Sequence, residues 1–160
     1  CPYCRMLGSS LKSWLKDYEG KYYFVYLNYP LDQSCNRFLP RPMHQHACDL
    51  AELNRCAGEQ GKFWDVYFYL MRMEYEDFML NRDDLLKSLT SKLGNFADLD
   101  LVLLEECLGS DRQLEAVRNN VEIGNSLGLT GTPALFINGQ QVKNIGEQTV
   151  LNIMEKVTKP

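Results

Sequence analysis

No run of apolar residues in this chain approaches the ~20 that a membrane-spanning helix requires. Positive charge is short as well: 17 Lys and Arg against 21 Asp and Glu leave a formal net charge of −4. That balance argues against nucleic acid or an anionic membrane as the main partner. The charged, apolar and small-residue pattern of a signal peptide is missing, so export, if it occurs, is directed by residues outside these 160. Repeats, low-complexity tracts and flexible linkers are missing too. What remains is a chain long enough for one domain with room for an insertion. Its 45% hydrophobic and 24% charged residues are ordinary for a soluble globular protein.

Cysteine is the residue that stands out. Six of them, at positions 1, 4, 35, 48, 56 and 107, are many for a cytosolic protein of this size. They are too few and too scattered for a small disulfide scaffold. An even count in a chain with a good core suggests an oxidising compartment, with one pair for chemistry and up to two structural bridges. The plainer alternative makes the four later cysteines buried free thiols, since Cys packs well in cores.

Along the chain, Pro2 to Leu15 has helical spacing, with Met6 or Leu7, Leu11, Trp14 and Leu15 on one face. A proline near the start suits a first turn whose N–H groups are unpaired anyway. Lys21 to Pro30, KYYFVYLNYP, is aromatic and β-branched and reads as a buried strand. A polar, Pro-rich loop follows. From about Met43 to Asn120 the pattern is helical only. Ala47–Gln60 is one helix, and Gly61–Met73, apolar almost all round, is a central buried one. Asp83 or Asp84 caps a third that Gly94 stops, and Asp98 or Asp100 opens a fourth that ends at Gly109. Ser110 and Asp111 open the last helix of the block. Then Ala134–Ile137, Asn138-Gly139 and Gln140–Val142 read as a β-hairpin, because Asn-Gly between two β-like runs suits a tight turn. A final helix carries Val150, Ile153, Met154 and Val157 as one stripe. A strand, a helical block and a hairpin in this order predict a sheet domain interrupted by an inserted helical one.

The stretch Cys1-Pro2-Tyr3-Cys4 can bind metal, form a structural bridge or shuttle electrons. A Cys at the N-terminal edge of a helix faces unpaired N–H groups and the positive end of the dipole. Both favour thiolate, so the pKa of Cys1 is expected below the free value of about 8.5. Cys4, one turn on, is placed to resolve the mixed disulfide that attack on a substrate disulfide creates. A zinc site would need two more ligands, which Cys35, His44, His46 and Cys48 could supply. Neither of those cysteines belongs to a second Cys-x-x-Cys. A structural bridge within CPYC closes too short a loop to remove much unfolded-state entropy. The second element is Thr132-Pro133, ahead of an apolar strand. With a cis bond, Thr132 would present its N–H and C=O to an extended peptide whose disulfide meets Cys1. An ordinary trans proline in a turn is the competing reading.

CPYC opening a helix, with GTPALFING before a final helix, resembles the DsbA family of thioredoxin-fold thiol:disulfide oxidoreductases. YPLDQSC, HQHACDLAELNRCAGEQGKFWDVYFYL and DLDLVLLEECL look like that family's inserted helical domain. The YPLDQSCN…HACDLA stretch is similar to domains fused to, or working with, vitamin K epoxide reductase-like membrane proteins. The resemblance implies an α/β, thioredoxin-like fold with an all-helical insertion. Its parts would be residues 1–42, the insertion 43–121, and residues 122–160. It implies Cys1 as nucleophile, Cys4 as resolving thiol, Pro2 and Tyr3 as the tuning dipeptide, and Pro133 as cis-proline with Thr132 before it. Members with His in place of Tyr3 have an extra thiolate-stabilising group, so a milder oxidant is expected here. The expected activity is oxidation of cysteine-bearing substrate proteins in an extracytoplasmic, bacterial setting, periplasmic or secreted or membrane-tethered. A quinone-linked membrane partner, DsbB-like or vitamin K epoxide reductase-like, would reoxidise the protein. A reductase or isomerase of the same fold is the alternative direction, and a zinc-holding interaction module the alternative class. No cofactor beyond the dithiol is implied, nor a metal. The family's central strand, which runs into the active-site helix, is missing from the sequence. Its slot is expected to be filled by upstream residues or by another segment, since both neighbouring strands would otherwise expose unpaired edges.

Cys48 and Cys56, eight apart on one helix, are too distant to bond with each other. That leaves Cys35–Cys48 with Cys56–Cys107, or Cys35–Cys56 with Cys48–Cys107. The first is preferred, because Cys35 and Cys48 flank one loop and Cys107 ends a helix expected to pack on Cys56. Each bridge would stabilise by roughly 2–4 kcal/mol.

Overall fold

The computed structural model describes residues 1–158. Their chain forms two compact units, one from Cys1–Tyr26 with the segment from Leu129 onward, the other from Leu27–Gly128. The sequence pattern divides instead at 42/43 and 121/122. The loop from Leu27 associates with the helices because Cys35 is bonded to Cys48 and Asn36 is fully buried, donating to the Pro30 carbonyl at 2.8 Å.

The first unit contains helix α1 (Pro2–Asp17), a hairpin of β1 (Phe136–Ile137) and β2 (Gln140–Gln141), and a closing helix, Glu147–Thr158. Trp14, Val142, Val150 and Met154 are buried at its centre, with Leu7, Leu11, Phe24, Leu135 and Ile137 packed around them. The buried stripe of α1 is thus Leu7, Leu11 and Trp14. Met6, which shares their sequence face on one reading of the helical spacing, is 69% exposed. The hairpin is antiparallel, pairing Phe136 with Gln141 and Ile137 with Gln140. Its turn residues Asn138 and Gly139 take φ of 48° and 80°, the left-handed pair that a two-residue hairpin of matching twist requires.

The expected strand at Lys21–Pro30 has no β-ladder. From Lys21 to Leu27 exposure nevertheless alternates residue by residue, as an extended chain's does. Tyr22 and Phe24 face the core, with rings 6.1 Å apart. Tyr23 (94% exposed), Val25 and Leu27 face outward. The segment has a strand's alternation without a ladder partner among the described residues.

The second unit is helical: α2 (Ala47–Glu59), α3 (Phe63–Leu70), a 3₁₀ turn at Tyr75–Met79, α4 (Arg82–Ala97), α5 (Leu101–Gly109) and α6 (Arg112–Ser126). We number the closing helix of the first unit α7. Asn81 caps α4, accepting from the Asp84 N–H at 3.0 Å, so the start lies two residues before the expected Asp83. Nor does Gly94 stop the helix. It sits within α4 because a Cβ there would come 2.9 Å from Leu101 Cδ2, and glycine gives α5 room to approach. Asp100 caps α5, accepting from Val102 and Leu103 N–H. Leu53, Val66, Leu85, Leu89, Leu93 and Leu104 form the core with the sulfurs of Cys56 and Cys107. Helix α3, expected to be buried all round, buries only Val66, Tyr67 and Leu70. Its other aromatics lie half-exposed in a stack of edge and face contacts.

Candidate redox-active site

Helix α1 begins where it does because Pro2 pre-sets φ and needs no N–H partner in a first turn. Cys1 is therefore the N-cap, and its carbonyl accepts from the Arg5 N–H at 3.2 Å. No acidic residue lies in this first turn, so nothing there offsets the positive end of the dipole. Cys4 follows one turn later on the same side. Both are half-buried free thiols. Tyr3, between them, is 67% exposed.

The core sets what faces Cys1. Leu7, Leu11 and Trp14 of α1 pack in one cluster with Leu135, Ile137 and Val142 of the hairpin. That fixes the residues entering β1 against the start of α1. The Thr132-Pro133 peptide is cis, and the Cys1 thiol donates to the Thr132 carbonyl across 3.5 Å. Residues 131 apart in sequence thus form one corner. Chemically, it holds two thiols within one helical turn, beside a main-chain acceptor on a half-exposed chain segment.

The other sequence candidates lie in the helical unit. Cys35 and Cys48 are joined with Cα atoms 5.9 Å apart, and Cys56 and Cys107 with Cα atoms 5.7 Å apart. All four are at most 8% exposed. The first of these bonds takes Cys35 and Cys48, the two further sulfur donors that the zinc alternative could have added to CPYC. Of its histidines, His46 is buried as the N-cap of α2 at φ 66°. Its Nδ1 faces Asp49 Oδ2 at 3.3 Å and its Nε2 faces the Leu80 carbonyl at 3.0 Å. Arg82 Nε donates to the other Asp49 oxygen at 2.7 Å.

Of the two alternatives Met6 and Leu7 for the apolar stripe of α1, Leu7 packs in the core and Met6 is exposed, since Leu7 keeps the i, i+4, i+7 step with Leu11 and Trp14. Sequence reasoning did not single out Glu52. It is 1% exposed on α2 and its Oε1 has no hydrogen-bond partner among the described residues. Burial, then the nearby Asp111 carboxylate, raises its pKa.

A Cys-x-x-Cys pair opening a helix, set against a cis-prolyl turn that leads into a hairpin and a closing helix, places this corner in the thioredoxin-like class. A sequence profile described as Thioredoxin matches residues 1–156, and the chain belongs to that family. The fold is accordingly thioredoxin-like, mostly helical, with a small two-stranded sheet. Curated relatives carry another name. "Na(+)/H(+) antiporter NhaA 3" of Salinispora tropica is 29% identical over 141 residues, 88% of this chain and 19% of the antiporter. "Na(+)/H(+) antiporter NhaA 1" of Salinispora arenicola matches to the same extent. A protein of that second name from Mycolicibacterium gilvum is 24% identical over 143 residues, 20% of its length. The chain thus spans about one fifth of the curated relatives it matches. No solved structure matches it. No helix among the described residues is long and apolar enough to cross a membrane.

Proposed function

We propose that the chain is a protein thiol:disulfide oxidoreductase of the DsbA type, working through Cys1 and Cys4. The observation that carries this reading is the corner itself: Cys1 at the N-cap, Cys4 one turn on, and the Cys1 thiol on the carbonyl of a cis Thr132-Pro133 peptide. In the oxidase direction a substrate thiolate attacks Sγ of Cys1 in the Cys1–Cys4 disulfide. The S–S bond breaks, Cys4 leaves as thiolate, and a mixed disulfide joins substrate to Cys1. A second substrate thiolate attacks the substrate sulfur of that bond and expels Cys1, which leaves at a helix N-terminus that favours its charge. Two electrons and two protons pass from the substrate dithiol to Cys1 and Cys4. A membrane quinone-linked partner, DsbB-like or vitamin K epoxide reductase-like, would take them onward. The two buried bridges in the helical unit support an oxidising, extracytoplasmic setting. In the antiporter relatives, the stretch shared with this chain would be the redox part, and ion transport would belong to the rest.

The direction is tested by equilibrating the Cys1–Cys4 pair with glutathione and pairing the potential with refolding of reduced ribonuclease. An oxidase gives a potential well above the about −270 mV of thioredoxin and restores ribonuclease activity stoichiometrically. A potential at or below thioredoxin's refutes the oxidase direction in favour of a reductase. Loss of no exchange activity in Cys1→Ser refutes the site.

A further inference from the structure

The redox corner sits in the cationic part of an anionic chain. Cys1–Tyr26 with the segment from Leu129 onward carries seven Lys and Arg against four Asp and Glu, while Leu27–Gly128 carries ten against seventeen. The segregation is sharpest where the corner is built. From Cys1 to Lys16 the charged residues are Arg5, Lys12 and Lys16, and from Leu129 to Gly146 the one charged residue is Lys143. Neither stretch holds an Asp or Glu. The unit's four carboxylates are Asp17 and Glu19, past the end of the first stretch, and Glu147 and Glu155 on α7.

On α1 the cations form a line. The steps from Cys1 to Arg5, on to Lys12 and on to Lys16 are four, seven and four residues, which hold one face of a helix. This face is turned away from the packed Leu7, Leu11 and Trp14. Lys12 and Lys16 stand exposed on it, and Arg5 is half-buried. By the rise of an α-helix the three lie about 6, 16 and 22 Å along the axis from Cys1. An extended peptide covers those distances in about two, five and seven residues. The positive end of the α1 dipole adds to the same field at Cys1.

We propose, resting on the exchange reaction assigned to Cys1 and Cys4, that this stripe selects acidic substrates: cysteine-bearing peptides with Asp or Glu about two, five and seven residues from the cysteine that meets Cys1. A field of one sign beside a reactive group raises the local concentration and encounter rate of oppositely charged substrate, and salt weakens both. The same charges repel a Lys- or Arg-rich substrate.

The test uses the whole 160-residue protein, oxidised at Cys1 and Cys4, and three dithiol peptides of one sequence with Glu, Gln or Lys at those positions on both sides of the cysteine pair. In each reaction the peptide dithiol becomes a disulfide, Cys1 and Cys4 become thiols, and two electrons and two protons pass from the one to the other. Rates are read by acid quenching and mass spectrometry. Each is divided by the same peptide's rate with neutral hydroxyethyl disulfide, which removes the effect of the charges on the peptide thiols themselves. The expected order is Glu over Gln over Lys, with a Glu-to-Lys ratio of about tenfold or more at low salt that falls towards one at about 0.5 M. Lys12→Gln with Lys16→Gln should cut that ratio several-fold, and Lys12→Glu with Lys16→Glu should cut it further. Unchanged melting curves verify the fold of both variants. Normalised rates equal for the three peptides, a ratio insensitive to salt, or a ratio that both double substitutions leave alone overturns the selection and leaves the exchange reaction standing. Exchange with none of the peptides overturns both. Equal peptide rates together with sedimentation on phosphatidylserine vesicles that the double substitutions abolish would assign the stripe to an anionic membrane, and overturn the proposal as well.

Discussion

Cys1 and Cys4 lie on one helix three residues apart, and only Cys1 occupies the cap position and touches Thr132. On the proposed reaction their replacement has different results. Cys1→Ser should abolish exchange with a dithiol peptide, a loss of more than about 1000-fold. Given a disulfide-bonded peptide instead, Cys1 of Cys4→Ser should attack one sulfur and expel the other as thiolate, and without Cys4 to resolve it the mixed disulfide should appear as an adduct on non-reducing gels and vanish on reduction. At Glu52 the residue-scale consequence is a pH dependence. Its raised pKa means that the folded protein keeps the Glu52 proton to higher pH than the unfolded chain does. The stability linked to that proton is complete below the unfolded carboxyl range and is lost as pH climbs through the raised value. The charges facing Glu52 are Asp49 on its own helix, Asp111 ahead of α6 and Arg82 on α4. Glu52→Gln, which cannot ionise, should raise the urea midpoint at pH 7 and leave it nearly unchanged at pH 4. An equal shift at both would remove titration as the cause.

At the scale of elements, the contact of α2 with α6 has the opposite pH sign. Hydrogen bonds from Arg112 and then Gln113 hold the Glu59 pKa down, from 4.5 to about 2. This depressed value stabilises the fold above the unfolded carboxyl range and loses that contribution as pH falls from about 4.5 towards 2. Glu59→Gln should lower the midpoint at neutral pH and flatten the acid limb of a stability–pH series. Leu93→Ala, at a position with 0% exposure, should cost about 2–5 kcal/mol in the same denaturation experiment. The helices themselves were legible in sequence, since period, caps and glycines all act locally. What was not legible depended on neighbours. Gly94 looked like a stop and is a point of close approach. Lys21–Pro30 has the composition of a strand, but a ladder is a property of two segments. Helix spacing could exclude a Cys48–Cys56 bond, while choosing a partner for Cys56 required knowing that α5 packs on α2. The site divided in the same way. CPYC and Thr132-Pro133 were visible as residues, but the 3.5 Å contact between them follows from how α1 and the hairpin share a core.

For the whole molecule, the six cysteines fall into an accessible pair and two bonds at most 8% exposed. Mild reduction under native conditions, followed by alkylation and mass spectrometry, should therefore label two thiols, and reduction after unfolding all six. Labelling of four or more under native conditions would mean that a buried bridge opens without global unfolding. The same whole-molecule view gives the Lys21–Leu27 segment, extended but outside any β-ladder among the described residues, a practical meaning. Its Tyr22–Leu27 part, YYFVYL, has no charge, proline or glycine, the composition from which cross-β fibrils nucleate. Concentrated samples should slowly gain thioflavin T fluorescence, and Val25→Lys, at a 68% exposed position, should delay the onset several-fold without lowering the melting temperature. The shelf life of this protein in solution should then depend on six residues other than those of the proposed redox corner.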